Sequence, residues 1–424
     1  MKFVKISLLA IVGCMTLQAA AQSSTVILFR KGLDWQQLIK TAKAEHKYIF
    51  VHCSTTKQSA DNTDTTNVFK LDSVYTFFSS HYVCMDIYFD STKGNPDEKT
   101  FHAMQKMLGD KYKVTKLPTL LFFDPEGRII DKREGETDAR RIMFFGRINL
   151  DTSRQYYVMV DKFLKGDRRR DMVIAVAGES QQHGDVEILS ASHNALWDVM
   201  PNKEDQADLK RFYGSLVKST DKGFSTLVQD PEGVNKAVGM PKLAQHTAIS
   251  ILKFEMYTQF MKDKGTINWK GMEEAFHDKA PSFYTNSALL QLKAYDAATR
   301  KNWEEWAGWQ LDYYDQYADT MHPHPFQVNT DLWHVFQTCK NKKILMRAAD
   351  WSKKTVIMGG PKEDLSCKDT YANLLYKGGE RDQAIAVEQD ILDATIRENN
   401  DALRKQVDET LKKMKQGLPT WESE

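Results

Sequence analysis

The chain of 424 residues has few cysteines, at positions 14, 53, 84, 339 and 367, and they form no Cys-x-x-Cys pair. The spacing typical of thiol redox motifs and of many zinc sites is therefore absent. A chain of this length can bury a large core without disulfides, so we do not expect the fold to depend on cysteine pairing. Whether Cys53, Cys84, Cys339 and Cys367 are paired stays open at this point.

An excess of charge of one sign is also missing. The 58 basic and 57 acidic residues give a net charge of +1, which offers no field to attract nucleic acid, so we predict no nucleic-acid partner. The short basic run at 165–170 is interpreted as a solvated loop. Beyond the first 21 residues no stretch reaches the roughly 18 apolar residues that a membrane-spanning helix needs. The sequence therefore predicts no transmembrane segment and a soluble mature protein.

The common catalytic motifs are missing as well. The sequence contains no G-x-S-x-G, H-E-x-x-H, G-x-G-x-x-G or Walker-type lysine loop. His322 and His324 flank Pro323, and His334 follows, but alternate residues separated by proline do not converge as zinc ligands do. We interpret this segment as a rigid turn between helices. The sequence predicts no catalytic residue, no metal and no cofactor.

The first residues have the pattern of an export signal. Lys2 and Lys5 precede an apolar stretch over 6–17, and small residues at 19–21 form an A-x-A cleavage site before Gln22. We expect residues 1–21 to be removed and the protein to be periplasmic or secreted. In the alternative interpretation, the segment ending at Cys14 is a lipobox, and Cys14 carries a lipid anchor.

Strand and helix patterns alternate over residues 22–150. Asp34 and Gln37 can form a capping box in front of an apolar stripe, and a hairpin over 117–133 closes the series. This order predicts an α/β domain. The other predicted elements are strands at 25–30, 48–51 and 82–89 and helices at 68–78 and 99–112.

Three stretches of this domain carry a family resemblance. They are WQQLIKTAKAEHKYIFV at 35–51, VFKLDSVYTFF at 68–78 and KYKVTKLPTLLFFDPEG at 111–127. In this order they resemble the thioredoxin-like proteins exported by Gram-negative bacteria. The resemblance implies a thioredoxin-like fold for residues 22–150.

The resemblance fails where the family has its Trp-Cys-x-x-Cys loop. That motif falls on residues 57–61, where Lys57 replaces the tryptophan, and Gln58 and Asp61 replace the two cysteines. His52 stands where the family often has a buried acid. Thiol–disulfide exchange needs an attacking thiolate and a resolving thiol. A dithiol enzyme is therefore excluded unless other cysteines substitute.

A second family feature is kept. Leu117-Pro118-Thr119 resembles the cis-proline segment that presents backbone groups to an extended substrate, so we expect Pro118 to be cis. The resemblance thus implies a peptide groove without redox chemistry. Its candidate residues are Lys57, Gln58, Asp61, Leu117 and Pro118.

The remaining cysteines of this domain leave one alternative open. Cys53 ends a predicted strand and is interpreted as a buried apolar residue. Cys84 lies in a strand that the family topology places beside it, so a Cys53–Cys84 pair is an alternative. His52 is interpreted as a histidine that is hydrogen-bonded in place.

Helical spacing dominates residues 151–424. Trp303, Trp306, Ala307, Leu311 and Tyr314 follow one helix face, and Trp309 and Tyr313, off that stripe, are expected to be more exposed. Residues 369–395 resemble one tetratricopeptide-type helical hairpin. The sequence leaves open whether the other helices are diverged repeats or an irregular bundle.

Together these patterns predict a redox-inactive thioredoxin-fold protein of the cell envelope that binds or scaffolds a protein or extended peptide. The alternative is a thiol–disulfide oxidoreductase that uses Cys53 and Cys84. The identity of the partner and the oligomeric state stay open.

Overall fold

The computed structural model describes residues 29–30, 32–55, 65–90, 98–135, 138–263, 265–358, 365–398 and 400–421. The chain divides between Asp167 and Arg168 into two compact units, which we call the first unit and the helical unit. The sequence placed its domain boundary at 150, so the helix Tyr156–Leu164 is grouped here with the first unit.

The first unit is built on a mixed five-stranded sheet with the order β1-β3-β2-β4-β5. β2 pairs in parallel with β3, and β4 runs antiparallel to both β2 and β5. The alternation of strands and helices that the sequence showed thus produces an α/β domain, as predicted. The strands are β1 Phe29–Arg30, β2 Tyr48–Ser54, β3 Tyr82–Tyr88, β4 Thr119–Phe123 and β5 Ile129–Glu134.

Helices cover the two faces of this sheet. Alternate residues of β2 point to opposite faces, so Ile49, Val51 and Cys53 pack with α1 and α3, while Phe50 packs with α2 and α4. The bounds are α1 Trp35–Glu45, a 3-10 helix Thr65–Lys70, α2 Asp72–His81, α3 Glu98–Tyr112, α4 Ala139–Ile148 and α5 Tyr156–Leu164.

The sequence predicted the start of one of these helices correctly and the extent of another incorrectly. The predicted capping box is present at α1, where the Asp34 carboxylate accepts from Gln37 N–H at 2.8 Å and the Gln37 side chain accepts from Asp34 N–H at 2.9 Å. The helix predicted over 68–78 is instead a 3-10 helix and an α-helix, which meet at Leu71 in extended backbone.

The helical unit consists entirely of helices in the part that the structure describes. Its described helices are α6 Arg170–His183, α7 Val186–Val199, α8 Gln206–Gly214, α9 Phe224–Gln229, α10 Pro231–Val238, α11 Leu243–Phe260, α12 Trp269–Phe276, α13 Ser282–Thr299, α14 Trp303–Met321, α15 Pro325–Thr338, α16 Lys342–Met358, α17 Leu365–Gly378, α18 Arg381–Arg397 and α19 Asp401–Gln416. None of the helices in the described ranges is both long and apolar enough for a membrane span.

The helices from α14 onward pack on one another and share a core. Ala307, Leu311 and Tyr314 of the predicted stripe on α14 are buried in it. The hairpin predicted over 369–395 corresponds to α17 and α18, which pack together across a turn at Gly379 with φ of 107°. A residue with this φ is nearly always glycine, so Gly379 fixes the turn.

Candidate functional site

The candidate site lies where β2 and β3 end and β4 begins. Because β2 and β3 are parallel, their carboxyl ends share one edge of the sheet, and the antiparallel β4 starts at the same edge. His52 and Ser54 of β2 point to the same face, since they are two residues apart. The register pairs His52 with Asp86 of β3 and Cys53 with Thr119 of β4.

A histidine–carboxylate pair lies at the centre of this edge. His52 Nδ1 donates to Asp86 Oδ1 at 2.9 Å, and His52 is fully buried. The Asp86 side chain keeps 12% of its surface exposed. This hydrogen bond requires a proton on Nδ1, so it sets the tautomer of a neutral imidazole. The prediction that His52 is hydrogen-bonded in place is confirmed.

Aromatic rings enclose the imidazole. The Phe29 ring stacks on it at 6.1 Å between centroids, and the Phe69 ring is tilted against it at 5.3 Å. Apolar neighbours exclude water and strengthen the attraction between histidine and carboxylate. The hydrogen bond to Asp86 and the two rings hold the imidazole in place at the sheet edge.

Ser54 adds a polar group without a hydrogen bond. Its hydroxyl is buried, and among the described residues it has no hydrogen-bond partner. A buried hydroxyl normally finds a partner, so this oxygen is an unused donor and acceptor at the end of β2.

The peptide bond between Leu117 and Pro118 is cis, as predicted. Thr119 pairs with Cys53 in the antiparallel register of β4 and β2. Pro118, one residue before Thr119, therefore lies beside Ser54, one residue after Cys53. Its carbonyl accepts from Gly135 N–H at 2.9 Å, and the Thr119 hydroxyl donates to the carbonyl of Lys116 at 2.6 Å. Pro118 is buried and Leu117 is half-buried. These bonds fix the backbone of the segment at the sheet edge.

The chain that leads into this segment is basic on its outside. Lys113, Thr115 and Lys116 are exposed, and Lys113 has a φ of 50°. Lys116 lies 3.9 Å from Glu134, too far and too exposed for strong pairing. The rim beside Leu117 therefore presents positive charge to solvent.

The two cysteines of the first unit lie on opposite faces of the sheet. Cys53 packs in the cluster under α1 and α3, and Cys84 in the cluster under α2 and α4. The register pairs Cys84 with Phe50 rather than Cys53. Both are free thiols, so the Cys53–Cys84 pairing that the sequence left open is not formed.

Both thiols are also poor nucleophiles. Burial raises the pKa of Cys53, and the nearby Asp86 carboxylate raises it further. Burial likewise raises the pKa of Cys84, against a smaller lowering by Lys47 and Arg30. A thiol whose pKa is raised carries almost no thiolate at neutral pH, and thiolate is the attacking species.

Of the five residues predicted for the groove, the structure brings Leu117 and Pro118 to the edge with His52 and Asp86. Lys57, Gln58 and Asp61 lie outside the described residues. The sequence analysis missed Asp86 and Ser54. The alternation of Tyr82, Cys84, Asp86 and Tyr88 on one strand was the signal that could have found Asp86, once β3 was placed beside β2.

Two other candidates have structural roles. His324 caps α15 by accepting from Phe326 N–H at 3.2 Å, and His334 packs against Trp303 and Trp306. The described part of the chain contains no group of three or more potential metal-binding side chains.

Trp309 and Tyr313 are more exposed than Ala307, Leu311 and Tyr314 of the stripe, as expected, but neither is fully exposed. Both are half-buried, as Trp303 and Trp306 are. Trp309 is covered in part by the Lys293 ammonium at 4.7 Å from its ring centroid, and Tyr313 stacks on Tyr317 at 5.4 Å.

One protein-family model matches part of this chain. Residues 35–143 match the model of the thioredoxin-like domain, and this range contains β2–β5, the Leu117–Pro118 segment and the His52–Asp86 pair. A comparison with curated proteins gives no match to the chain.

Proposed function

We propose that the thioredoxin-like domain of this chain binds an extended protein or peptide segment at the Leu117–Pro118 edge, without thiol redox chemistry. One observation carries the proposal: hydrogen bonds hold the backbone of the Leu117–Pro118 segment at the sheet edge, while Gln58 and Asp61 occupy the two cysteine positions of the family motif. The edge thus has the backbone segment that an extended peptide would contact, and the chain lacks the two cysteines that thiol–disulfide exchange would need.

The chemistry of the edge favours a particular kind of segment. The basic rim of Lys113 and Lys116 attracts carboxylates, and half-buried Leu117 offers an apolar contact. The partner segment is therefore extended and contains acidic and apolar residues. Its binding weakens as salt rises, because exposed charges are screened.

The alternative, an oxidoreductase using Cys53 and Cys84, is less well supported. The two thiols lie on opposite faces of the sheet, and burial raises the pKa of both. Neither can attack a substrate disulfide and then be resolved by the other without opening the sheet.

Site-specific crosslinking tests the groove. A photoreactive residue at Leu117 is compared with one at Ala44, which is exposed on α1. We expect Leu117 to capture a partner, and a synthetic peptide copied from the captured segment to compete with it. Equal capture at both positions, or capture that the peptide cannot reduce, contradicts the proposal.

The proposal also places the protein in the cell envelope, on the strength of residues 1–21. The amino terminus of the mature protein tests this. We expect it to begin at Gln22. A lipid-modified terminus at Cys14 supports the anchored alternative, and an intact Met1 in the cytoplasmic fraction contradicts export.

A further inference from the structure

The helical unit contains a groove whose lining residues all belong to that unit. It lies between α11, α13 and α14 and has a volume of about 610 Å³. A neighbouring depression of about 400 Å³ shares Ser250 and Phe254 with it. Along α11 the lining runs from His246 to Tyr257, which corresponds to about 16 Å of helix at 1.5 Å per residue. Volumes of this order suit a small molecule.

The walls of this groove expose aromatic surface. Phe254, Tyr257 and Tyr295 are 49%, 36% and 53% exposed, and all three line the same groove. The rings of Tyr257 and Tyr295 meet edge to face at 6.0 Å. Three large exposed rings in one concavity are uncommon on a protein surface, and they indicate a site that binds the apolar part of a ligand.

A single ammonium group lies within these apolar walls. Lys253 is half-buried, and burial lowers its pKa. Its Nζ donates to Gln291 Oε1 at 3.0 Å, and no carboxylate among the described residues pairs with it. The lining includes no aspartate or glutamate. A partly desolvated cation without a counter-charge is costly, and an anion placed beside it would offset that cost.

We propose that this groove binds a small amphipathic carboxylate, an apolar or aromatic body with one negative charge. The carboxylate accepts from Lys253 Nζ, and the body lies along Phe254, Tyr257 and Tyr295. The Lys253 ammonium and the Gln291 amide are hydrogen-bonded to each other in the lining, and this pair suits a ligand with one polar end. An extended peptide would instead need polar partners along its whole length.

Calorimetric titration of the full chain with decanoate tests this assignment. We expect saturable binding of decanoate and at least tenfold weaker binding of decylammonium, because only the first can pair with Lys253. Equal binding of the two contradicts the assigned charge. No binding of decanoate contradicts the site.

Three variants locate the binding. Lys253→Met should weaken decanoate about tenfold, while Lys253→Arg should keep it within about threefold, since arginine also pairs with carboxylates. Lys210→Met, at an exposed lysine on α8, serves as the matched control and should leave the affinity unchanged. Unfolding curves verify that each variant is folded. Full affinity in Lys253→Met overturns the proposal.

Discussion

Each unit contains a buried carboxyl group, and the surroundings of the two groups differ. In the first unit, Asp131 accepts from Arg133 at 2.9 Å and from Asn149 at 3.0 Å. In the helical unit, Glu388 is fully buried beside α17, and among the described residues neither of its carboxyl oxygens has a hydrogen-bond partner. Burial and then repulsion from Asp369 raise the pKa of Glu388 to about 9, and burial raises the pKa of Asp369 to about 6.

This difference indicates how each unit responds to its surroundings. A buried carboxylate that is paired with a cation has part of its desolvation cost offset by that partner, as Asp131 does through Arg133. A buried carboxyl with a raised pKa must be protonated to stay buried, so the helical unit becomes less stable as pH rises. The same unit leaves Lys253 without a counter-charge in the described chain. We therefore expect changes of pH and an anionic ligand to alter the stability of the helical unit more than that of the first unit.

Removal of the cation from the first unit should give the largest effect. Arg133→Met leaves Asp131 without that buried partner and should lower the free energy of unfolding by about 3 kcal/mol. Hydrogen exchange of the β4 and β5 amides in the full chain reports it. Arg128→Met, on the same hairpin at the ion pair of the exposed Arg128 with Asp124, is the control and should change the free energy of unfolding little. Equal effects would show that burial does not distinguish the two pairs.

Removal of the uncompensated carboxyl should have the opposite sign. The pKa of Glu388 is higher in the folded than in the unfolded chain, so its effect is absent below about pH 4.5 and grows as pH rises toward 9. Glu388→Gln should therefore stabilise the helical unit by about 2 kcal/mol at pH 8 and hardly at all at pH 4.

Denaturant unfolding of the full chain at both pH values measures this effect. Asp390→Asn removes a carboxylate on the same helix that is itself 57% exposed, so this variant is the matched control and should change stability little at either pH. A gain at pH 8 that persists at pH 4 would mean that ionisation of Glu388 is not the cause.

Glycine substitutions compare the packing of the two units, with the smallest effects. A Cβ at Gly146 of α4 would lie 2.6 Å from the Phe77 ring, so Gly146→Ala should destabilise the first unit by about 1–2 kcal/mol. A Cβ at Gly178 of α6 meets nothing within 4 Å, so Gly178→Ala should stabilise its helix by up to about 1 kcal/mol. Thermal unfolding of the full chain measures both, and the same sign for both would contradict the packing described.

Much of the first unit could be predicted from sequence because its signals are local. The Asp34–Gln37 capping box, the strand at 48–51 and the hairpin after Pro118 each depend on neighbouring residues. The cis state of Pro118 came from the family resemblance. The tetratricopeptide-like character of residues 369–395 stays a prediction, although α17 and α18 do form a helical pair.

The parts that could not be predicted depend on contacts between distant residues. His52 and Asp86 are 34 positions apart, and only the parallel register of β2 and β3 brings them together. The groove around Lys253 needs three helices whose packing no single helix pattern specifies. The partial burial of Trp309 could not be predicted because it depends on Lys293 of a different helix.

Native thiol labelling tests the central proposal, which is that the thioredoxin-like domain has the Leu117–Pro118 edge but carries out no thiol redox chemistry. Among the described residues, no disulfide involves Cys53, Cys84, Cys339 or Cys367, and all four side chains are buried. Iodoacetamide at pH 8, followed by intact-mass analysis, should give no adduct on the folded mature chain and four on the unfolded chain. The double variant Gln58→Cys with Asp61→Cys restores the Cys-x-x-Cys spacing and serves as the positive control. Rapid labelling of wild-type Cys53 or Cys84 near neutral pH, together with reduction of an insulin disulfide, would contradict the account.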